Sequence, residues 1–303
     1  MLLILVPYFK IEFFQETLKS LEAQTCKDFK LYISNDASSE NPEELINSTL
    51  KTAPFSYKKY SNNLGGKNLV KQWERMINDA KLSGWFMILG DDDVLSENFV
   101  EEFYKNLPEI KENKCNVIKF SQQWIDEDGA PINDFTSYQK LLKPGENLNF
   151  KLAKGHRSSL SEYIFNTDSY HKFGFVDLPL AWGTDDLAIL EFSNGKPIYF
   201  IEEAKVFVRI SPKNISGRED NNELKRAAGR TYEKYILKKH FSKMEKTYIL
   251  AKADSHIKYY YLDNEKLGFS LLKIYWHFRK FKKILALPKT YYHMYKHSQK
   301  TQV

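Results

Sequence analysis

The 303-residue chain has only two cysteines, Cys26 and Cys115. That is too few for a disulfide framework, and a reduced, cytosolic setting is the simplest expectation. No stretch reaches the roughly 18 consecutive apolar residues that a membrane-spanning helix needs, so the chain is not expected to cross a bilayer. The opening run Met1-Leu2-Leu3-Ile4-Leu5-Val6 is apolar but short, and Pro7 and Lys10 soon interrupt it. It lacks a basic leader and a small-residue cleavage pattern, so it reads as a buried strand and not a signal peptide. The seven histidines and two cysteines show no zinc-ligand spacing, and His156 reads as structural. Gly65-Gly66-Lys67-Asn68 lacks the Gly-Lys-Ser/Thr ending of a P-loop. No Gly-x-Gly-x-x-Gly follows the first strand, which argues against a dinucleotide enzyme.

What is present is an apolar share of 42%, enough for a sizeable core. Aromatics reach 15%, and core filling is the favoured reading of that excess. Charge is uneven. Residues 223–303 hold 19 Lys and Arg against six Asp and Glu, while the whole chain is only +6, so the remainder is net acidic. Such asymmetry points to an anionic partner for the tail: a membrane surface, nucleic acid or polyanionic glycan.

The hydrophobic pattern alternates strands and helices. Leu2–Val6 suits a central parallel strand. Phe13–Ala23 has helical spacing, Phe29–Ser34 is a second strand, and Tyr57–Tyr60 a third. An amphipathic helix carries Leu69, Trp73, Met76, Ile77 and Ala80 on one stripe. Trp85–Leu89 is a strand that runs into Gly90-Asp91-Asp92-Asp93, and a helix follows from about Glu97 with Ser96 as N-cap. The order predicts an α/β sheet with crossover helices. Residues 126–155 read as a loop. A helix opens at Asp185-Asp186 and runs through Phe192, Ile198–Phe200 and Lys205–Arg209 read as a hairpin, and the pattern is helical from about Glu223. The chain therefore divides into a body, 1–222, and a basic helical region, 223–303.

Ligands of such sheets bind beyond the carboxyl ends of the strands. Here those ends carry Pro7-Tyr8, Asn35-Asp36 and the triple Asp. Adjacent carboxylates repel, and a hard divalent ion takes oxygens from one or two carboxylates plus substrate phosphates. Asp91–Asp93 therefore suits a metal–diphosphate, against a bland reading as a solvated, helix-capping loop. Asp36 is either a turn-forming residue or an acceptor for a base or ribose. Asp185-Asp186 is either a helix cap or a general base, one carboxylate raising the pKa of the other.

Together these motifs resemble glycosyltransferase family 2, with its GT-A fold, a Rossmann-like mixed sheet flanked by helices. The similarity covers Met1 to about Ser216 through Val6-Pro7-Tyr8, Ser34-Asn35-Asp36-Ala37-Ser38, Asn63-Leu64-Gly65-Gly66, Leu89-Gly90-Asp91-Asp92-Asp93 (similar to the family's DxD motif) and Thr184-Asp185-Asp186. The resemblance implies an inverting, metal-dependent transfer of a sugar from a nucleotide-diphosphate donor, UDP-sugar favoured, to a glycan or lipid-linked glycan in polysaccharide or lipopolysaccharide synthesis. It implies that Pro7, Tyr8 and Asp36 hold the nucleoside, and that Gly65 and Lys67 lie near the nucleotide. Asp91 and Asp92 would meet the donor, Asp91 at the ribose or sugar, and Asp92 or Asp93 would bind Mg2+ or Mn2+. Asp186 would be the catalytic base with Asp185 beside it. Arg209 and Ser216 would close over the diphosphate. Gly90 stands where many members have an Asp, and Asp185 replaces the commoner Glu. Nucleic acid is not among the implied partners, and no Gln-x-x-Arg-Trp signals a processive synthase.

Two other classes compete. A sugar nucleotidyltransferase would carry a Gly-rich, Arg-containing loop where this chain has Pro7-Tyr8-Phe9-Lys10. A glycan- or polyanion-binding protein would not need both carboxylate sets. In the tail, Leu267–Leu287 reads as one amphipathic helix with Lys273, His277, Arg279, Lys280, Lys282 and Lys283 among aromatics. It suits a peripheral contact with the inner face of the cell membrane, a helix docked on the body with a solvated basic face, or an oligomer contact.

Overall fold

A computed structural model of the chain describes residues 1–152, 155, 158–211, 222–263 and 268–300. Ser216 and His156 lie outside the described residues. The strands are β1 (Leu2–Tyr8), β2 (Phe29–Asn35), β3 (Phe55–Lys59), β4 (Trp85–Ile88), β5 (Val94–Leu95), β6 (Val117–Ile125), β7 (Leu141–Leu142), β8 (Tyr163–Asn166) and β9 (Ile198–Arg209). They form one mixed sheet in the order β3-β2-β1-β4-β8-β6-β9-β5, with β7 on β9. β1, β2, β3 and β4 run parallel, so their carboxyl ends open on one edge.

The helices are α1 (Phe14–Glu22), α2 (Glu43–Thr49), α3 (Leu69–Ala80), α4 (Phe99–Glu112), α5 (Pro144–Leu152), α6 (Thr167–Phe173), α7 (Thr184–Phe192), α8 (Asn222–Lys239), α9 (Lys246–Asp263), α10 (Gly268–His277) and α11 (Phe281–Lys300). Successive side chains of a strand point to opposite faces, and β1 buries both sets. Leu2, Ile4 and Val6 meet α1, α2 and α4 on one face, whereas Leu3 and Leu5 meet α3, α6 and α7 on the other. Aromatics fill the second face, where Phe86, Phe165, Tyr170, Phe175 and Phe192 contact one another. α7 is buried on two sides. Ala188, Ile189 and Phe192 face the sheet, while Leu187 and Leu190 join a third core with α5 and α8–α11. The basic helices thus share a core with the body. Gly183, at φ 81° before α7, marks the joint, because a Cβ there would sit 2.5 Å from the Tyr232 ring of α8.

Several expectations need correction. Ile198–Phe200 and Lys205–Arg209 are not a hairpin but one strand. Both parts run parallel to β6, and a bulge between Ile201 and Lys205 absorbs the exposed Glu202-Glu203 that mimicked a turn. Residues 126–155 include β7 and α5. The helix expected from Glu97 starts at Phe99; the Ser96 hydroxyl instead donates to Asn98 Oδ1 and accepts from Lys205 N. The single tail helix is two. α10 ends in a paired closure, Arg279 N to Trp276 O (3.0 Å) and Lys280 N to Tyr275 O (2.7 Å), with Arg279 at φ 55° where a glycine is usual.

Candidate functional site

A cleft of about 390 Å³ opens at the carboxyl edge of the parallel strands. Pro7, Tyr8, Asp36, Gly65, Asp91 and Asp92, from four separate stretches of the sequence, line it together with Gln72, Trp73 and Ser161. Register explains the convergence: Tyr8 pairs with Asn35 across β1–β2, Asp36 N donates to Tyr8 O, and Leu89 N continues the β4 ladder to Leu5 O.

Asp36 is nearly buried and accepts from Leu64 N (2.9 Å), Gly65 N (2.7 Å) and the Arg75 guanidinium. It therefore folds the 63–66 loop over the cleft. Gly65 is needed there, because a Cβ would stand 2.7 Å from Asp36 Oδ2. Arg75 stacks on Tyr60 at 3.8 Å and also donates to Gln72 Oε1 at 2.9 Å through Nε. The sequence reading missed Arg75, although its place one turn after Gln72 on α3 puts both on the cleft side of the helix.

The triple Asp divides its work. Asp91 Oδ2 accepts from Phe9 N (2.7 Å) and Lys10 N (3.0 Å), tying the end of β4 to the end of β1. Asp93 points inward: Oδ1 accepts from Arg209 N (2.9 Å) and Oδ2 from Ser161 Oγ (2.5 Å). Burial, and next the Asp92 charge, push Asp91 up to about 7 and Asp93 up to about 8. Ser161 lies on the short turn Leu160–Glu162, which Lys119 anchors through a buried ion pair to Glu162 at 3.4 Å.

Three expected residues fall elsewhere. Asp93 does not line the cleft, since both its oxygens are engaged within the protein. Lys67 is exposed and also off the cleft. Arg209 is 1% exposed and its guanidinium is turned to the interior: Nε meets Asp92 O (3.2 Å), Nη1 the carbonyls of Asp126 and Glu127 (both 2.9 Å) and Nη2 Glu16 (2.5 Å). It holds the acidic turn from behind.

Asp185 and Asp186 open α7 and are not among the cleft's lining residues. Lys151 at the end of α5 clasps both, Nζ lying 2.8 Å from Asp186 Oδ1 and 3.5 Å from Asp185 Oδ2. Burial raises Asp186 to about 6, with Lys151 pulling down and Asp185 pushing up. Nothing in the sequence marked Lys151, because its helix was hidden in a stretch rich in Gly, Pro, Asn and Asp.

Among the described residues no set of three or more His, Cys, Asp or Glu forms a ready metal cage. The donor chemistry nevertheless fits a hard divalent ion that arrives with its ligand. Asp91 and Asp92 face the cleft, Asp91 is held toward its neutral form by burial and by the neighbouring Asp92 charge and so gains from an added cation, and such an ion completes its shell with phosphate oxygens.

Residues 3–163 match the family model for glycosyl transferase family 2, and the chain belongs to that family. No curated protein matched the sequence. Its fold is the GT-A type. Among solved structures it is similar to S. aureus TarS 1-349 in complex with UDP-GlcNAc, at 13% identity and TM-score 0.63, over 90% of this chain and 79% of that one. TarS 1-349 in complex with UDP aligns at 14% identity and TM-score 0.59, over 90% and 80%. GalNAc-T7 with UDP, GalNAc and Mn2+ aligns at 9% identity and TM-score 0.52, over 87% of this chain and 56% of that one.

Proposed function

We propose that the chain transfers a sugar from a nucleotide-diphosphate donor, UDP-sugar favoured, to a hydroxyl of a glycan or lipid-linked glycan, with inversion at the anomeric carbon. The observation that carries the reading is the joint exposure of Asp91 and Asp92 in one cleft with Pro7, Tyr8 and Asp36, at the carboxyl edge of a parallel sheet. The UDP and UDP-GlcNAc complexes of the structurally similar proteins, and the Mn2+ of one, support the same donor class and a divalent ion.

In this reading Pro7, Tyr8 and Asp36 face the nucleoside, with the 63–66 loop kept in place by Asp36 and Arg75. Asp92, with Asp91 beside it, would hold Mg2+ or Mn2+, which supplies positive charge against the leaving diphosphate. Asp93, Ser161 and Arg209 keep that turn in register. Asp186 takes the proton of the acceptor hydroxyl as the oxygen attacks, and the nucleoside diphosphate departs from the opposite face. Lys151 favours the ionised, proton-accepting form of Asp186. Orienting donor and acceptor in line adds acceleration.

The test is donor hydrolysis and transfer with a panel of nucleotide sugars and Mn2+, after a thermal-shift screen for donors. Stabilisation by a UDP-sugar that disappears in Asp92→Asn is the expected result. No nucleotide sugar stabilising or being consumed by the wild-type chain would end the reading.

A further inference from the structure

α10 is apolar on two faces. Leu271, Ile274 and Tyr275 are buried in the third core, while Phe269, Leu272 and Trp276, at i, i+3 and i+7, are 72%, 39% and 69% exposed. α11 repeats the pattern: Leu287 is buried, and Phe281, Leu285 and Tyr292 are 51%, 80% and 62% exposed. The closure at Arg279 joins the two stripes, and the rings of Trp276 and Phe281 meet edge to face at 5.6 Å across it. Singly exposed apolar side chains are ordinary, but a contiguous patch of them marks a contact surface.

The charge around the patch names the partner. From Gly268 to Val303 there are eight Lys and Arg and no Asp or Glu. Lys273, Arg279, Lys282 and Lys289 are exposed beside the two stripes. The Lys273 ammonium lies 4.8 Å over the Phe269 ring, so its stem follows the apolar stripe and its charge can rise to headgroup level. A docked helix with a solvated basic face accounts for the lysines but leaves six large exposed apolar side chains without a role. An acidic, polar protein surface would account for the lysines and not for the apolar stripe that runs along both helices. Exposed Trp and Tyr with interleaved Lys and Arg is the composition that lies in an anionic bilayer interface. Among the described residues no helix is long and apolar enough to cross a membrane, so the contact is with the surface.

We propose that the exposed face of α10 and α11 docks the protein on an anionic lipid bilayer. The claim is independent of the transfer reaction, since it needs neither donor nor acceptor. If the acceptor is lipid-linked, docking confines enzyme and acceptor to one surface.

The experiment uses the full chain, because the third core unites these helices with α5 and α7. Flotation with phosphatidylcholine vesicles is compared with flotation on vesicles that also contain phosphatidylglycerol. Capture on the anionic vesicles alone, weakened by added salt, is expected. The double variant Trp276→Ser/Leu285→Ser changes only exposed positions and should bind roughly tenfold more weakly or worse, with an unchanged Tm. Wild-type tryptophan fluorescence should shift to the blue on anionic vesicles, and Trp276→Phe should still bind without that shift. The proposal is overturned if the wild-type chain stays unbound at physiological salt or the double variant floats like wild type. It is also overturned if light scattering shows a wild-type dimer that the double variant converts to a monomer, with no vesicle capture by either.

Discussion

Two acidic clusters in this molecule meet their own charge in different ways. Asp91 and Asp93 accept from backbone N–H groups and a hydroxyl, donors without a full charge. Asp186 accepts from the ammonium of Lys151. Neutral donors orient a carboxylate without neutralising it, so in the first cluster Asp91, which faces the cleft, remains suited to an added cation. The second carries its own counter-ion and is suited to a proton. Position follows the same division: the first cluster ends a parallel strand at the cleft, whereas the second opens a helix beneath α8.

The comparison can be broken most directly at Asp186. Asp186→Asn is expected to lower kcat about a thousandfold, while donor affinity by titration calorimetry stays within about twofold, since Asp186 does not line the cleft proposed for the donor. A variant that loses donor binding to the same extent would merge the two clusters into one site. Asp92→Asn should cost on the order of a hundredfold in kcat/KM and raise the metal concentration needed for half-maximal rate. EDTA should abolish wild-type turnover, and added Mn2+ should restore it. Full activity in metal-free buffer would remove the cation from the first cluster.

The pH profile sharpens the contrast. Asp186, raised to about 6 by burial, must be ionised to act as base. kcat/KM should therefore fall as pH drops through about 6. Lys151 favours the ionised form, so Lys151→Met should move that acidic limb to higher pH. An unmoved limb would separate Lys151 from the base. The smallest effect concerns the joint. Gly183→Ala meets both a left-handed backbone and the Tyr232 ring, and should cost about 2 kcal/mol of stability in a denaturant titration.

Much of this was legible in the chain. Apolar runs ending before Pro7 and Gly90 marked β1 and β4, the strand-like stretch Phe29–Ser34 marked β2, and polar residues at the ends of neighbouring parallel strands must share an edge. The pieces that escaped are those whose role depends on distant partners. Arg75 and Lys151 act on carboxylates about 35 to 40 residues away, and no local pattern records such pairing. The family resemblance implied that Arg209 would close over the diphosphate; three carbonyl oxygens and Glu16 hold its guanidinium instead. The break between α10 and α11 escaped because Arg279 takes a left-handed conformation that a glycine would have announced.

The bulge in β9 has a consequence for how this chain can vary. Residues 202–204 lie outside the β6 ladder, and pairing resumes at Ser121 with Lys205. A residue gained or lost there would be absorbed at the rim, and Arg209 would keep its place behind Asp92 and Asp93. The same change after Lys205 would slide Arg209 off its register and flip the following side chains to the other face. Length variation among related chains should therefore collect before Lys205 and be rare in the four residues that follow.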